Sequence, residues 1–314
     1  MNRKKPSVYK KLLLPLLSLC VGFGCYFASL VVQKANGYTL QIGEPSAENA
    51  GQSLRLYCID IGQGDALLAQ QGDHWALLDT GAPDEAEVLF AFLETQGVEH
   101  LDYLIISHMH ADHMGGAARV LQQLSVDSLI LPQPVTAEQS NAMQQLQDSV
   151  QATAVQQPVY AQTGAAFSLG NATVRILSDG TAQEDENESS LVCLLQFDCF
   201  SVLAAGDSGE VTEQLLMKEY SQLQATVFKV SHHGSATSNG EAFLQMLRPR
   251  IALISCAAEN DYGHPHSAVL ERLERVGAKV FRTDTDGTVT VTVQDGLVEV
   301  RTQASLNRNT TKAA

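Results

Sequence analysis

Ser107-His108-Met109-His110-Ala111-Asp112-His113-Met114-Gly115-Gly116 follows directly on the apolar run Tyr103-Leu104-Ile105-Ile106. Three histidines and an aspartate fall within six positions, in a chain that has only nine histidines among 314 residues. Imidazole and carboxylate together suit zinc, manganese or iron. A strand-to-helix turn lets His108 and His110 project to one side while Asp112 and His113 fold back, so one or two metals could share the run. A polar loop with chance histidines is the plainer explanation, and the density argues against it.

Outward from this motif, apolar and β-branched runs at 54–59, 66–69, 75–78 and 104–106 predict strands separated by Gly and Asp turns. Residues 84–96 carry Val88, Leu89, Phe92 and Leu93 at helical spacing, and 116–124 carry Ala117, Val120, Leu121 and Leu124. The second half repeats the pattern. Strands are predicted at 173–177, 191–197 and 200–205, then a helix opened by Gly206-Asp207 and running to about 219. Further strands are expected at 225–230, 251–256, 279–281 and 289–293, with helices at 241–247 and 267–275. Two sheets covered by helices follow. The acidic stretch 181–188 reads as a solvated loop rather than a contributor to a metal site, and 303–314 as a frayed polar tail.

His-x-His-x-Asp-His also resembles the signature of the metallo-β-lactamase superfamily. Asp60-Ile61-Gly62-Gln63-Gly64-Asp65-Ala66, Leu77-Leu78-Asp79-Thr80-Gly81, Ala205-Gly206-Asp207, Lys229-Val230-Ser231-His232-His233-Gly234-Ser235 and Tyr262-Gly263-His264-Pro265-His266 resemble, in order, the hydrolase-like domain of ComEC-type competence proteins. The resemblance covers roughly residues 54–301. It implies an α/β fold, a four-layer αββα sandwich with metals at the edge where both halves present strand ends. It places His108 and His110 on a first metal, Asp112 and His113 on a second, and Asp207 between them, with Asp112 also positioning the attacking water.

The last metal ligand implied is His266, with His264 as alternate. His233, ahead of His232, is expected to donate a proton to the leaving oxygen or to hold a substrate phosphate. Many members of the superfamily carry another ligating histidine between the first motif and the bridging aspartate. None occurs from Met114 to Gly206 here, where Asn187 and Ser190 offer only neutral oxygens. The first site is weakened, which favours manganese over zinc and leaves occupancy by one or two ions open. Asp60, Asp65 and Asp79 stand beside glycines, where turn structure is their plain role. Orienting a ligating histidine is the functional one, with Asp79 the first choice. Asp207 has independent support, because a carboxylate just past the buried run Val202-Leu203-Ala204-Ala205 needs a partner such as a cation. Its alternative is an N-cap for the helix that follows.

Residues 12–32 form an uncharged apolar run long enough to span a bilayer, preceded by Arg3, Lys4, Lys5, Lys10 and Lys11. The organisation expected is a cytoplasmic basic start and transmembrane helix at 1–33, a polar linker at 34–52, and a hydrolase domain at 53–302 on the extracytoplasmic side of the cell membrane. Secretion after signal cleavage, lipidation at Cys20 or Cys25, and a buried core helix are the alternatives. Cys58, Cys193, Cys199 and Cys256 are expected as free thiols. A formal charge of −15 argues against a basic track for long duplex DNA, although bound divalent metals can reverse a local field.

The function expected is metal-assisted hydrolysis of a phosphodiester, either single-stranded DNA or a nucleotide diester. A separate competence channel protein is the macromolecular partner considered. Related scaffolds also cleave lactones, thioesters and β-lactams. The non-enzymatic alternative is an outer-surface binding module that keeps a metal for structure, against which an intact Asp112 speaks.

Overall fold

Strands buried on both faces read as near-continuous apolar runs, because period-two alternation then has no polar side to show. This is the case for most strands of this chain. The computed structural model describes residues 37–134, 136–150, 158–181 and 185–303. The apolar run at 12–32, and with it the expected transmembrane helix, lies outside the described residues, as does the tail from 304. Among the described residues, no helix is long and apolar enough to cross a membrane.

The first sheet contains β1 (Tyr38–Gln41), β2 (Ser53–Cys58), β3 (Leu67–Gln71), β4 (His74–Leu78), β5 (His100–Ile105), β6 (Ser125–Leu131) and β7 (Val159–Tyr160). The second contains β8 (Ala166–Leu169), β9 (Ala172–Ser178), β10 (Val192–Phe197), β11 (Phe200–Ala204), β12 (Val227–Lys229), β13 (Ile251–Ile254) and β14 (Lys279–Arg282). The chain then returns to the first sheet as β15 (Val289–Gln294) and β16 (Leu297–Thr302). The strand orders are β1-β16-β15-β2-β3-β4-β5-β6-β7 and β14-β13-β12-β11-β10-β9-β8.

The inner faces of the two sheets meet in one apolar layer that includes Leu56, Leu67, Ala76, Val202, Leu253 and Val291. Alternate residues of the same strands, such as Leu68, Leu77 and Leu104, pack outward under α1 (Ala86–Thr95), α3 (Ala117–Gln123) and α4 (Ala137–Val150), with the single-turn α2 (Ala111–Met114) leading into α3. On the far side, Leu203, Phe228 and Ala252 lie under α5 (Glu210–Glu219), α6 (Glu241–Leu247) and α7 (Ser267–Arg275). The layers run helix, sheet, sheet, helix, as expected.

Strands β4, β5 and β6 are parallel, and so are β11 to β14. Parallel strands emit all their carboxyl ends at one edge, and a crevice at that edge is where such sheets bind ligands. Here the loops after β4, β5, β11, β12 and β13 meet across the two sheets. The Ser255 hydroxyl donates to the Gly64 carbonyl at 2.6 Å and Leu191 N–H donates to the Ser107 carbonyl at 2.8 Å.

Strands β6, β7, β8 and β16 and helix α4 go beyond the elements expected, and two further features depart from expectation. Residues 38–41, assigned to a linker, form β1 and pair with β16 from Tyr38↔Val300 to Gln41↔Leu297. Tyr38, Leu40 and Ile42 pack on the inter-sheet core, with the Tyr38 ring edge-on to Phe281 at 6.0 Å. A four-residue edge strand in polar flanks is too short for its alternation to stand out. The helix expected to open at Gly206 begins at Glu210 instead. The four cysteines of the domain are free, and Cys199 alone among them is exposed, at the turn between β10 and β11.

Candidate metal centre

The 108–113 run is held by backbone contacts before any of its side chains acts. Asp79, past the end of β4 and in the left-handed region at φ 60°, accepts Ser107 N–H and the Ser107 hydroxyl on its two oxygens, both at 2.7 Å. His110 precedes α2, whose turn brings His113 N–H to the His110 carbonyl at 3.1 Å. The His113 carbonyl in turn accepts Thr80 N–H and the Thr80 hydroxyl. Asp112 and His113 thus fold back from the turn.

Asp112, His113, Asp207 and His233 each offer one ligand atom, and these atoms all lie within 4.8 Å of one another. His113 Nε2 is 3.1 Å from Asp207 Oδ1, and His233 Nε2 is 3.3 Å from Asp112 Oδ2 and 3.6 Å from Asp207 Oδ2. His113 Nε2, His233 Nε2 and Asp207 Oδ1 are buried without a hydrogen-bond partner. Each such orphan costs about 1–3 kcal/mol, and one cation among them would satisfy all three. The far ring nitrogens are occupied: His113 Nδ1 lies 2.9 Å from Asp79 Oδ2, and His233 Nδ1 lies 3.0 Å from the Ser255 carbonyl and 3.4 Å from Asp65 Oδ1. A carboxylate or carbonyl behind each imidazole fixes the ring so that Nε2 faces the centre. These residues fit a divalent metal.

Beside this group, His108 Nε2 and His110 Nδ1 stand 3.1 Å apart. His110 Nε2 contacts Glu186 Oε2 at 2.7 Å, and the buried Oδ1 of Asn187 has no partner. The stretch expected as a solvated loop therefore reaches the site. Its Glu188 also accepts Val211 and Thr212 N–H at 3.1 and 2.9 Å, capping α5. Asp207 does not cap that helix; its N–H donates to the Ser190 hydroxyl at 3.2 Å, so Ser190 braces the Asp207 backbone. Gly206 ahead of it has φ +52°, and a Cβ there would sit 2.9 Å from side-chain atoms of Ser107 and Ser190. Only glycine permits this approach.

A role that sequence reasoning missed belongs to Lys229. Its buried ammonium lies 2.7 Å from both oxygens of Asp65 and 3.2 Å from the Val230 carbonyl. The signal was a lone lysine ending the buried run Val227-Phe228, since a buried ammonium requires a partner. Next to it, His232 and His233 both adopt left-handed backbone, at φ 51° and 52°. Such conformations cost about 1–3 kcal/mol each and persist where surroundings impose them. Asn239 imposes them here, accepting Ser231 N–H at 3.1 Å and donating to the Ser231 and Ser235 carbonyls at 3.0 and 3.3 Å.

Burial alone would depress the imidazoles, but the carboxylates of Asp207 and Asp79 hold His113 well above its ordinary range. Asp207 and Asp65 likewise outweigh burial and raise His233 to about 9. Burial raises Asp207 and Asp112, yet the neighbouring His113 and His233 hold both low. Without metal, both histidines therefore carry protons at neutral pH that a ligating imidazole must lose. Affinity for a divalent cation is expected to rise by about two powers of ten per pH unit near pH 7 and less steeply above about pH 9, where His233 has lost its proton. Chelator competition across pH 6–9 measures this; a rise under tenfold per unit would mean that fewer than two protons leave.

The group opens onto a cleft of about 310 Å³ that Gln63, Asn187, His232, Tyr262 and His264 also line. No lysine or arginine is among its lining residues. Two site expectations change here. His264, not His266, faces the cleft, and His266 Nδ1 accepts Ala236 N–H at 3.0 Å instead. His233, expected as a proton donor beside the metals, lies within the ligand group, while half-buried His232 stands 3.7 Å from Asp207. Burial and the surrounding histidines push His264 down to about 4.

Residues 59–258 match the metallo-beta-lactamase superfamily. The chain is 32% identical to ComE operon protein 3 of Bacillus subtilis over 252 residues, which cover 74% of this chain and 32% of that protein. It is 29% identical to Competence protein ComA of Neisseria gonorrhoeae, over 73% of this chain and 30% of that one. The chain spans about a third of the length of these curated relatives. Its fold is also like that of the metallo-beta-lactamase fold protein YhfI from Bacillus subtilis, with a TM-score of 0.53 at 14% identity, covering 79% of this chain and 99% of that one.

Proposed function

Because this chain belongs to the metallo-beta-lactamase superfamily, we propose that it is a metal-dependent phosphodiesterase acting on single-stranded DNA or nucleotide diesters. The observation that carries this is the convergence of Asp112, His113, Asp207 and His233 on one point, with the inward atoms of His113, Asp207 and His233 unpaired. The phosphodiester preference draws support from the relatives' association with competence. A cleft without lysine or arginine, on a chain of net charge −15, suits a short diester better than a long duplex.

In this reading His113, His233, Asp207 and Asp112 would hold one divalent ion, and His108 and His110 would hold a second, with Asn187 in place of a third histidine. Zinc and manganese both suit this donor set. A bound ion would supply Lewis acidity and an acidified water. Asp112, ionised and facing the cleft, would orient an attacking water and take its proton at a carboxylate oxygen. His232, which burial holds below the ordinary imidazole range, and His264 are neutral near pH 7 and present ring N–H donors to the departing oxygen. Asp79 and Asp65 keep the ligating rings in register from behind.

The test is elemental analysis of protein purified without chelator, together with hydrolysis of bis(p-nitrophenyl) phosphate and labelled single-stranded DNA in zinc or manganese. Bound metal and metal-dependent cleavage are expected. Metal without cleavage of either substrate would turn the assignment to lactones, thioesters or β-lactams, and no metal would leave a binding module.

We also propose that residues 12–32 anchor the domain to the outer face of the cell membrane, beside a separate channel protein. The support is the apolar run with its basic flank. Protease added to intact cells should release the domain; full protection would place it inside.

A further inference from the structure

Tyr262 is 66% exposed and lines the cleft of the candidate metal centre. Its ring stacks on His264, with centroids 5.5 Å apart and planes 19° from parallel. The loop that carries it is braced from within. Asn260 donates to the Ala257 and His264 carbonyls at 3.0 and 2.7 Å and accepts His264 N–H at 2.9 Å. The ring thus sits on a fixed support at the lip of the candidate metal centre, one face on His264 and the rest in solvent.

The same cleft offers a nucleotide nothing else of comparable reach. Its lining has no lysine or arginine, and Lys229 behind it is taken up by Asp65. A phosphate chain extending away from the metal position therefore meets no cation from these residues. An aromatic face does not depend on charge, and bases stack on such faces with little regard to sequence. The amides of Gln63 and Asn187 also line the cleft.

We propose that Tyr262 is a stacking platform for the nucleobase next to the scissile phosphodiester, a role that rests on the phosphodiester reading above. Substrate is then selected by a base rather than by its backbone charge.

The experiment uses the full chain and a dinucleotide carrying 2-aminopurine, whose fluorescence is quenched on stacking. With metal removed, wild type and Tyr262→Phe are expected to quench the probe, and Tyr262→Ala to bind it about tenfold more weakly. With metal present, Tyr262→Ala is expected to lower kcat/KM for the dinucleotide about tenfold more than for an abasic analogue of the same diester. No quenching by wild type, equal quenching by Tyr262→Ala, or equal changes on both substrates would overturn the proposal. Quenching that depends on Tyr262, without hydrolysis of either substrate, would support the platform and sink the phosphodiester assignment instead.

Discussion

An Asp112→Ala protein is expected to lose turnover by about a thousandfold while keeping its fold, the scale on which a positioned proton acceptor acts. The fold is safe because the structural contribution at this position is made by the backbone. The Asp112 carbonyl accepts Asp65 N–H at 3.0 Å, a bond that alanine retains. The side chain is one-third exposed and contacts His233 alone at close range. What alanine removes is a carboxylate that neighbouring histidines keep ionised against the pull of burial. Asp112→Asn separates shape from basicity and should be nearly as inactive. The check is kcat at saturating metal beside the thermal midpoint. Turnover within threefold of wild type would remove Asp112 from the chemistry.

Lys229→Met should cost stability instead, about 3–5 kcal/mol, because it leaves the Asp65 carboxylate buried without its partner. For a domain of this size that is a fall in Tm of roughly 10 °C. Removing both charges in Lys229→Met with Asp65→Asn should restore much of the loss, since an uncompensated charge costs more than the absence of a pair. Burial raises the Asp65 carboxyl, but Lys229 and then His233 outweigh it and hold it below the ordinary range. A group so depressed contributes stability above its unfolded pKa, near 4, and loses that contribution as pH falls through the folded value. The difference in Tm between wild type and Lys229→Met should therefore be largest where Asp65 is ionised in both proteins and shrink as pH falls into acid. A single variant within 2 °C of wild type would show the pair to be inert.

The 108–113 run was legible in the sequence because its chemistry is local, set by six consecutive residues and the turn they make. Asp207 was legible for a related reason, a charge set against four apolar residues. The role of His233 was not, because it depends on a left-handed turn clamped by Asn239 and on Asp65, which approaches from the other sheet. His264 and His266 are equivalent in sequence, two residues apart around Pro265. Only the packing of their loop decides which faces the cleft, and the intervening peptide is cis. Glu186 and Glu188 looked like solvated acid because nothing in their own stretch announces His110 or the start of α5 as partners. Two of the missed elements share one trait. The edge strand β1 is only four residues long, and α4 is rich in glutamine, so neither has an apolar period strong enough to read.

The placement of β1 sets the mechanics of the proposed tether. A free linker over 34–52 could reach about 65 Å at full extension. With Tyr38 already zipped to Val300, the chain between Val32 and the sheet can extend only about 20 Å. A domain held on so short a leash would ride against the lipid headgroups instead of sweeping the space above them. Any pull on the anchor would pass straight into the edge of the first sheet.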